Sequence, residues 1–239
     1  MKKPDSRPFH FKQFSLHHHR STMKVGTDAV LLGVWTEVKG VSRALDVGCG
    51  SGILSLLLAA RSKMQVDAVE MDAASFEEAK ENFNVSVFSA RLSAYHADFN
   101  EFVNQSPSTY QLIISNPPFF YNDLKSVESH KSKARHVDSL TYERLISGAA
   151  TLLDPQGQLS LVLPYQQADH FIQLSKEKGL FLQKQLLIFP KLCSEPKRVN
   201  LLLGFHSRKP ETDRFIIRNE DGSLSNQYIS LLEDYYVSI

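Results

Sequence analysis

Asn116 closes a short apolar run, LIIS (112–115), and is followed at once by Pro117, Pro118, Phe119 and Phe120. Two adjacent prolines stop a strand, because neither has an N–H to give to a ladder. The amide before them therefore stands at a strand's C-terminal end, where open α/β sheets bind ligands. A second constellation is LDVGCGSG (45–52), in which Gly48, Gly50 and Gly52 let the backbone turn tightly and approach a ligand. A dinucleotide fingerprint would need glycine at 53, and that residue is Ile53. Asp46 lies inside the loop, where it would repel a pyrophosphate but suits a ligand with a cationic amino group. Glu70 ends the next apolar stretch about 20 residues on, where an acid can take both ribose hydroxyls. Asp72 is the alternative, but Glu70 is nearer the strand's end. Asp98 ends the stretch after that, in place to read an adenine amino group.

Periodicity supplies the elements that must hold these residues. Strands are read over 43–48, 65–72, 91–98, 110–115, 157–164, 180–189 and 199–206, and helices over 52–62, 74–84, 140–154 and 165–179. The 74–84 helix is amphipathic, with its charges outward. The 140–154 helix is closed by Pro155 and Gly157. A short strand at 214–218 and a helix over 225–236 follow. Alternation of β and α implies a doubly wound, mostly parallel sheet with its crevice at the strands' C-terminal ends. Only a loop separates the strands at 180–189 and 199–206, so one of them is antiparallel. The 117–140 stretch is long for a loop, and such loops are usually functional or disordered.

A chain of 239 residues fits one α/β domain, and 42% apolar with 22% charged residues is an ordinary globular balance. Cys49 and Cys193 match no zinc spacing, no metal is expected, and the composition fits a reducing cytoplasm. No apolar run reaches the roughly 20 residues of a membrane span, and MKKPDSRPF lacks the apolar stretch of a signal peptide. A net charge of +1 hides an uneven distribution: residues 1–24 carry +5, 121–136 carry +2, 184–209 carry +5, and the remainder −11. Basic segments of this kind can hold a polyanion locally.

Over residues 43 to 207 the pattern resembles the class I S-adenosylmethionine-dependent methyltransferases. The resemblance implies a Rossmann-like α/β fold with a seven-stranded sheet and an antiparallel final strand. It places Asp46, Gly48, Gly50 and Gly52 near the methionine part of S-adenosylmethionine, Glu70 on its ribose and Asp98 near its adenine. Asn116 through Phe119 match the N-P-P-[YF] motif of methyltransferases that modify a planar nitrogen. The lone pair of an exocyclic amine is delocalised into its ring. Two acceptors on its N–H groups, the Asn116 side chain and the Pro117 carbonyl, favour a pyramidal nitrogen. Phe119 offers a face on which a flipped base can stack. No separate base is required before transfer, so no triad is sought. His96, His130 and His136 read as structural or solvated, and the run His17, His18, His19 is too short for a metal site.

The motif is shared by adenine-N6 enzymes of DNA and RNA, guanine-N2 ribosomal RNA enzymes and glutamine-N5 enzymes acting on release factors. The flanks discriminate. FKQFSLHHHRSTMKVGTDAVLLGVW (11–35) and IIRNEDGSLSNQYISLLEDYY (216–236) resemble the bacterial tRNA1(Val) (adenine(37)-N6)-methyltransferases, nearly end to end. Phe119 stands where some members have Tyr; it keeps the stacking face and also matches the guanine-N2 enzymes. The resemblance implies tRNA as partner; no membrane and no obligate protein partner are expected, and a monomer is expected. A single domain is expected over 1–239, with 1–40 covering the cofactor side and 210–239 appended. Thr27 or Asp28 is expected to cap a helix of 29–35 over the cofactor, and Thr27 is counted among the cofactor residues.

Overall fold

A computed structural model describes residues 7–106, 108–118 and 140–238. Two two-residue strands, β1 (Phe9–His10) and β2 (Ser15–Leu16), form a ribbon before α1 (Thr27–Trp35). There follow β3 (Arg43–Val47), α2 (Ile53–Arg61), β4 (Gln65–Glu70), α3 (Ala73–Val85), β5 (Leu92–His96), α4 (Phe99–Gln105) and β6 (Tyr110–Ser115). After the undescribed stretch come α5 (Tyr142–Leu152), β7 (Leu153–Pro164), α6 (Ala168–Glu177), β8 (Phe181–Lys191), β9 (Arg198–Gly204), β10 (Glu211–Arg218) and α7 (Asn226–Leu232).

The main sheet has the order β10-β8-β9-β7-β6-β3-β4-β5. Every neighbouring pair is parallel except those made by β9, which runs antiparallel to both β7 and β8. The expected doubly wound sheet with an antiparallel last strand is therefore present. It is extended by an eighth strand, because β10, expected as an appendage, adds to the edge alongside β8. From β3 the chain winds outward through β4 and β5, then returns to β6 on the other side. The β3/β6 boundary is thus the topological switch point, where open α/β sheets leave a crevice.

The central strands read as unbroken apolar runs because helices cover both their faces. Successive side chains point to opposite faces. Ala44, Leu112 and Ile114 join the core with α1 and α2, while Leu45, Val47 and Ile113 join the core with α5. Each fully buried leucine there contributes roughly 1.5–3 kcal/mol. This packing fixes the strand ends that carry the chemistry.

Two departures from the sequence reading bear on the site. α4 was not expected, since seven residues give little periodicity. It exists because the Asp98 side chain accepts the N–H of Asn100 and Glu101, capping it. The helix expected over 140–154 ends at Leu152, and Pro155 and Gly157 pass into β7 instead. The register shifts there opposite Tyr110 and Leu112. A Cβ at position 157 would stand 2.8 Å from the Tyr110 carbonyl oxygen, so glycine permits the close approach.

Candidate active site

The glycine loop leaves β3 with φ of 70° at Gly48, 55° at Gly50 and 84° at Gly52, left-handed values that glycine adopts at no steric cost. The N–H groups of Gly48 and Cys49 both donate to the Val69 carbonyl, which ties the loop to β4. Gly50 N–H donates to Glu70 Oε2 at 2.8 Å, and Asp72 N–H donates to Glu70 Oε1 at 2.9 Å. Glu70 is thereby fixed with its carboxylate beside the loop, while Asp72 is spent capping α3 through Ser75 N–H.

Asp46 is completely buried under the loop. Its Oδ2 accepts both the N–H and the hydroxyl of Ser55, at 3.1 and 2.7 Å. Its Oδ1 has no partner among the described residues. Burial pushes the carboxyl up to about 7, against the pull of the Ser55 hydrogen bonds. At the neighbouring strand end, the side-chain oxygen of Asn116 is also buried without a partner among the described residues. Two orphaned acceptors at the switch point suit a ligand that carries N–H donors.

A cavity of about 740 Å³ opens at this point. Gly48, Gly50, Glu70, Asp98, Asn116 and Pro118 line it, with Met71 and Leu140 adding apolar wall. Pro117 is buried behind Pro118. Asp98 faces the cavity while capping α4, and its Oδ2 stands 4.0 Å from Arg144. The structure therefore brings together most of the residues expected from sequence. Two stand apart. Gly52 does not line the cavity; a Cβ there would meet Phe83 at 2.4 Å, so its lack of a side chain serves packing. Thr27 does not line it either, and the expected cap is absent: the cap position is Gly26, with no side-chain hydrogen bond. Asp28 instead accepts from Arg198 Nε at 2.7 Å, tying the first turn of α1 to the start of β9. Phe119, Phe120, His130 and His136 lie outside the described residues.

One wall, the strap 17–24, lies within the 1–40 segment expected on the cofactor side, but its residues and its anchor on α3 were not singled out from sequence. Thr22, Met23 and Lys24 line the cavity. One face of α3 holds the strap through Ser75, Glu78 and Asn82, all buried. Glu78 accepts the backbone N–H of His19, Arg20 and Ser21 at 2.7–2.9 Å. Thr22 N–H donates to Ser75 Oγ. Asn82 accepts from His17 N–H and donates to the carbonyls of His17 and of Ser51 in the glycine loop. The charges of α3 are thus not all outward. The available signal was spacing: Glu78 and Asn82 adjoin Ala79 and Phe83 on the buried face. His18 Nδ1 accepts from Val25 N–H, and His96 stacks on Phe76 with ring centroids 5.1 Å apart. Among the described residues no cluster of metal-ligating side chains occurs, and no helix is long and apolar enough to cross a membrane.

The model of the methyltransferase small domain family matches residues 20–179. The chain is 36% identical over 236 residues to a tRNA1(Val) (adenine(37)-N6)-methyltransferase of Bacteroides fragilis, covering 98% of this chain and 100% of that protein. It is 37% identical to one of the same name from Flavobacterium psychrophilum, over 97% of this chain and 100% of the relative. Among solved structures, a predicted O-methyltransferase from Agrobacterium tumefaciens superposes with a TM-score of 0.67 at 21% identity, covering 87% of this chain and 96% of that one. P. horikoshii TYW2 in complex with MeSAdo gives 0.58 at 16% identity, covering 85% and 72%. The likeness to these two is one of fold.

Proposed function

The chain belongs to the family of the tRNA1(Val) (adenine(37)-N6)-methyltransferases, and from that premise we propose how its own residues carry the reaction. The enzyme transfers a methyl group from S-adenosylmethionine to the exocyclic N6 of an adenine in tRNA. The observation that carries the site assignment is the buried side-chain oxygen of Asn116, without a partner among the described residues, at a strand end that shares one cavity with Glu70 and Asp98.

S-adenosylmethionine, when bound, supplies an electrophilic sulfonium methyl. Asp46, through Oδ1, which has no partner among the described residues, takes the cationic amino group of the methionine part. Gly48 and Gly50 give that part close backbone approach. Glu70, oriented by the Gly50 and Asp72 N–H groups, takes the ribose hydroxyls. Asp98 reads the adenine edge beside Met71, and the strap at Thr22–Lys24 closes the near side.

Asn116 Oδ1 and the Pro117 carbonyl accept the two N–H groups of the target amine. This withdraws the nitrogen lone pair from the ring and directs it at the methyl. The prolines preset both acceptors, so nothing is reorganised at the moment of transfer. Such a preorganised partner supplies roughly 2.7–4 kcal/mol of barrier lowering in comparable sites. Phe119 stacks on the base. The proton leaves after transfer, so no separate base is assigned. The enzyme acts in the cytoplasm, a reading supported by its tRNA substrate.

The test is methyl transfer from labelled cofactor to tRNA lacking modification, followed by nucleoside analysis. Label in N6-methyladenosine supports the reading. Label in guanosine, or in a release factor and not in RNA, overturns it.

A further inference from the structure

The basic run 184–209 does not stay together in three dimensions. Lys184 lies in the first half of β8 and pairs with Asp213 of β10 at 3.0 Å. Arg208 and Lys209 follow the far end of β9. Only Lys191, Lys197 and Arg198 reach the edge of the sheet where the cavity opens, because β8 ends there and β9 begins there. Arg198 is held by Asp28, and the Lys191 ammonium donates to the Glu220 carbonyl. Lys197 is exposed and has no ion-pair partner among the described residues.

Beside Lys197 stands an aromatic ring that packing does not explain. Tyr165 follows Pro164 at the end of β7 and is 40% exposed, outside both cores. Its backbone is rigid: Pro164 pairs with Arg198, and Tyr165 N–H donates to the Lys197 carbonyl at 3.2 Å. Lys197 N–H donates in turn to the Ile188 carbonyl at 3.0 Å. An exposed ring and a free ammonium are thus mounted on one clamped edge.

Register gives their distance from the reacting group. Ser115 of β6 pairs with Leu161 of β7. Asn116 is one residue past that pair and Tyr165 is four. At about 3.3 Å per residue, Tyr165 lies roughly 10 Å further out than Asn116 and one strand to the side. A base whose amino group sits at Asn116 extends outward along this line, and the next nucleotide of an unpaired strand falls at about that spacing.

We propose that Tyr165 and Lys197 form a docking edge for the unpaired RNA nucleotide next to the target adenine, with Tyr165 stacking on its base and Lys197 meeting its phosphate. The charge and the aromatic face are complementary to single-stranded RNA, since every base has a face to stack and every linkage a negative charge. The proposal rests on the RNA-methylating reading above and adds to it the surface that seats the loop.

The test compares full-length wild type, Tyr165→Ala, Tyr165→Phe and Lys197→Glu on an unmodified tRNA1(Val) transcript with saturating S-adenosylmethionine. Tyr165→Ala should raise KM for the transcript roughly 5- to 100-fold, the scale of one lost base–aromatic stack, with cofactor affinity and melting temperature unchanged. Tyr165→Phe keeps the ring and should stay within about twofold of wild type. Lys197→Glu should flatten the dependence of log affinity on log salt by about 0.7, one phosphate's share on a single strand. A Tyr165→Ala enzyme with wild-type KM overturns the proposal. So does a Tyr165→Phe enzyme as impaired as the alanine variant, which would assign the effect to the hydroxyl. An unchanged salt slope in Lys197→Glu removes the phosphate contact. Should wild type itself fail to methylate the transcript, the functional reading falls first, an outcome distinct from an active wild type with an indifferent Tyr165.

Discussion

The buried carboxylate of Glu78 accepts the backbone N–H of Ser21 at 2.7 Å, and with it the N–H groups of His19 and Arg20. A fully buried charge is costly unless it is hydrogen-bonded throughout, and here three main-chain donors satisfy it. The strap that walls the cavity is therefore anchored from beneath by α3. Replacing Glu78 with Gln turns one acceptor into a donor facing donors. We expect Glu78→Gln to weaken S-adenosylmethionine binding roughly tenfold, equivalent to about 1.4 kcal/mol, while kcat at saturating cofactor stays near wild type. Calorimetric titration beside steady-state kinetics checks this, and unchanged cofactor affinity would show that the strap does not shape the site.

Asp46 makes the apo protein and its cofactor affinity respond to pH in opposite senses. Its carboxyl is raised to about 7 when folded, chiefly by burial, against an ordinary value near 3.9. Between those values the folded chain holds more protons than the unfolded one. The contribution to apo stability is therefore full below about pH 4 and is lost as pH rises through about 7, at no more than about 1.4 kcal/mol per pH unit. Cofactor binding runs the other way, because a cationic amino group favours the ionised carboxylate. Affinity should rise from about pH 6 to about pH 8 with release of a proton, and Asp46→Asn should abolish most of the affinity and the pH dependence. Titration in buffers of different ionisation enthalpy measures the proton; a flat wild-type profile would sink this pairing.

Asn116→Ala should retain cofactor binding and lose on the order of 10²–10³ in kcat, the effect of removing one preorganised polar partner. The side chain is an unpartnered acceptor among the described residues, so its removal leaves no new buried polar group there. Single-turnover methylation of the tRNA transcript reads the chemical step directly. Turnover within a few-fold of wild type contradicts the acceptor role.

Gly52→Ala should destabilise the fold more than either of the other loop glycines does. Its φ is 84°, and a methyl group would press on the Phe83 ring at 2.4 Å. At Gly50 the nearest atom to such a methyl is Ser21 Oγ at 3.2 Å, and at Gly48 it is a Leu140 methyl at 4.0 Å. Thermal melting of the three alanine variants gives the ranking. If Gly50→Ala melts lowest, the packing of α3 against the loop has been misjudged.

The local parts of the site were legible in the chain itself. Glycine spacing at 48, 50 and 52, an acid at 46, acids ending apolar stretches at 70 and 98, and Asn116 before two prolines each express a short-range rule. Those rules act within a few residues, so a linear reading finds them. The α/β alternation was likewise readable, since periods of 2 and 3.6 are local properties. Three features depended on tertiary structure. Glu78 looked like one more surface charge of an amphipathic helix, and only the docking of the 17–22 backbone makes it a buried anchor. Asp28 looked like a helix cap until Arg198, 170 residues away in sequence, took its carboxylate. The basic run 184–209 looked like one patch, but an antiparallel turn sends its members to opposite edges of the sheet. Which polar groups meet is settled by strand order and direction, and these follow from burying both faces of the whole sheet at once, a requirement that no single stretch of the sequence can express.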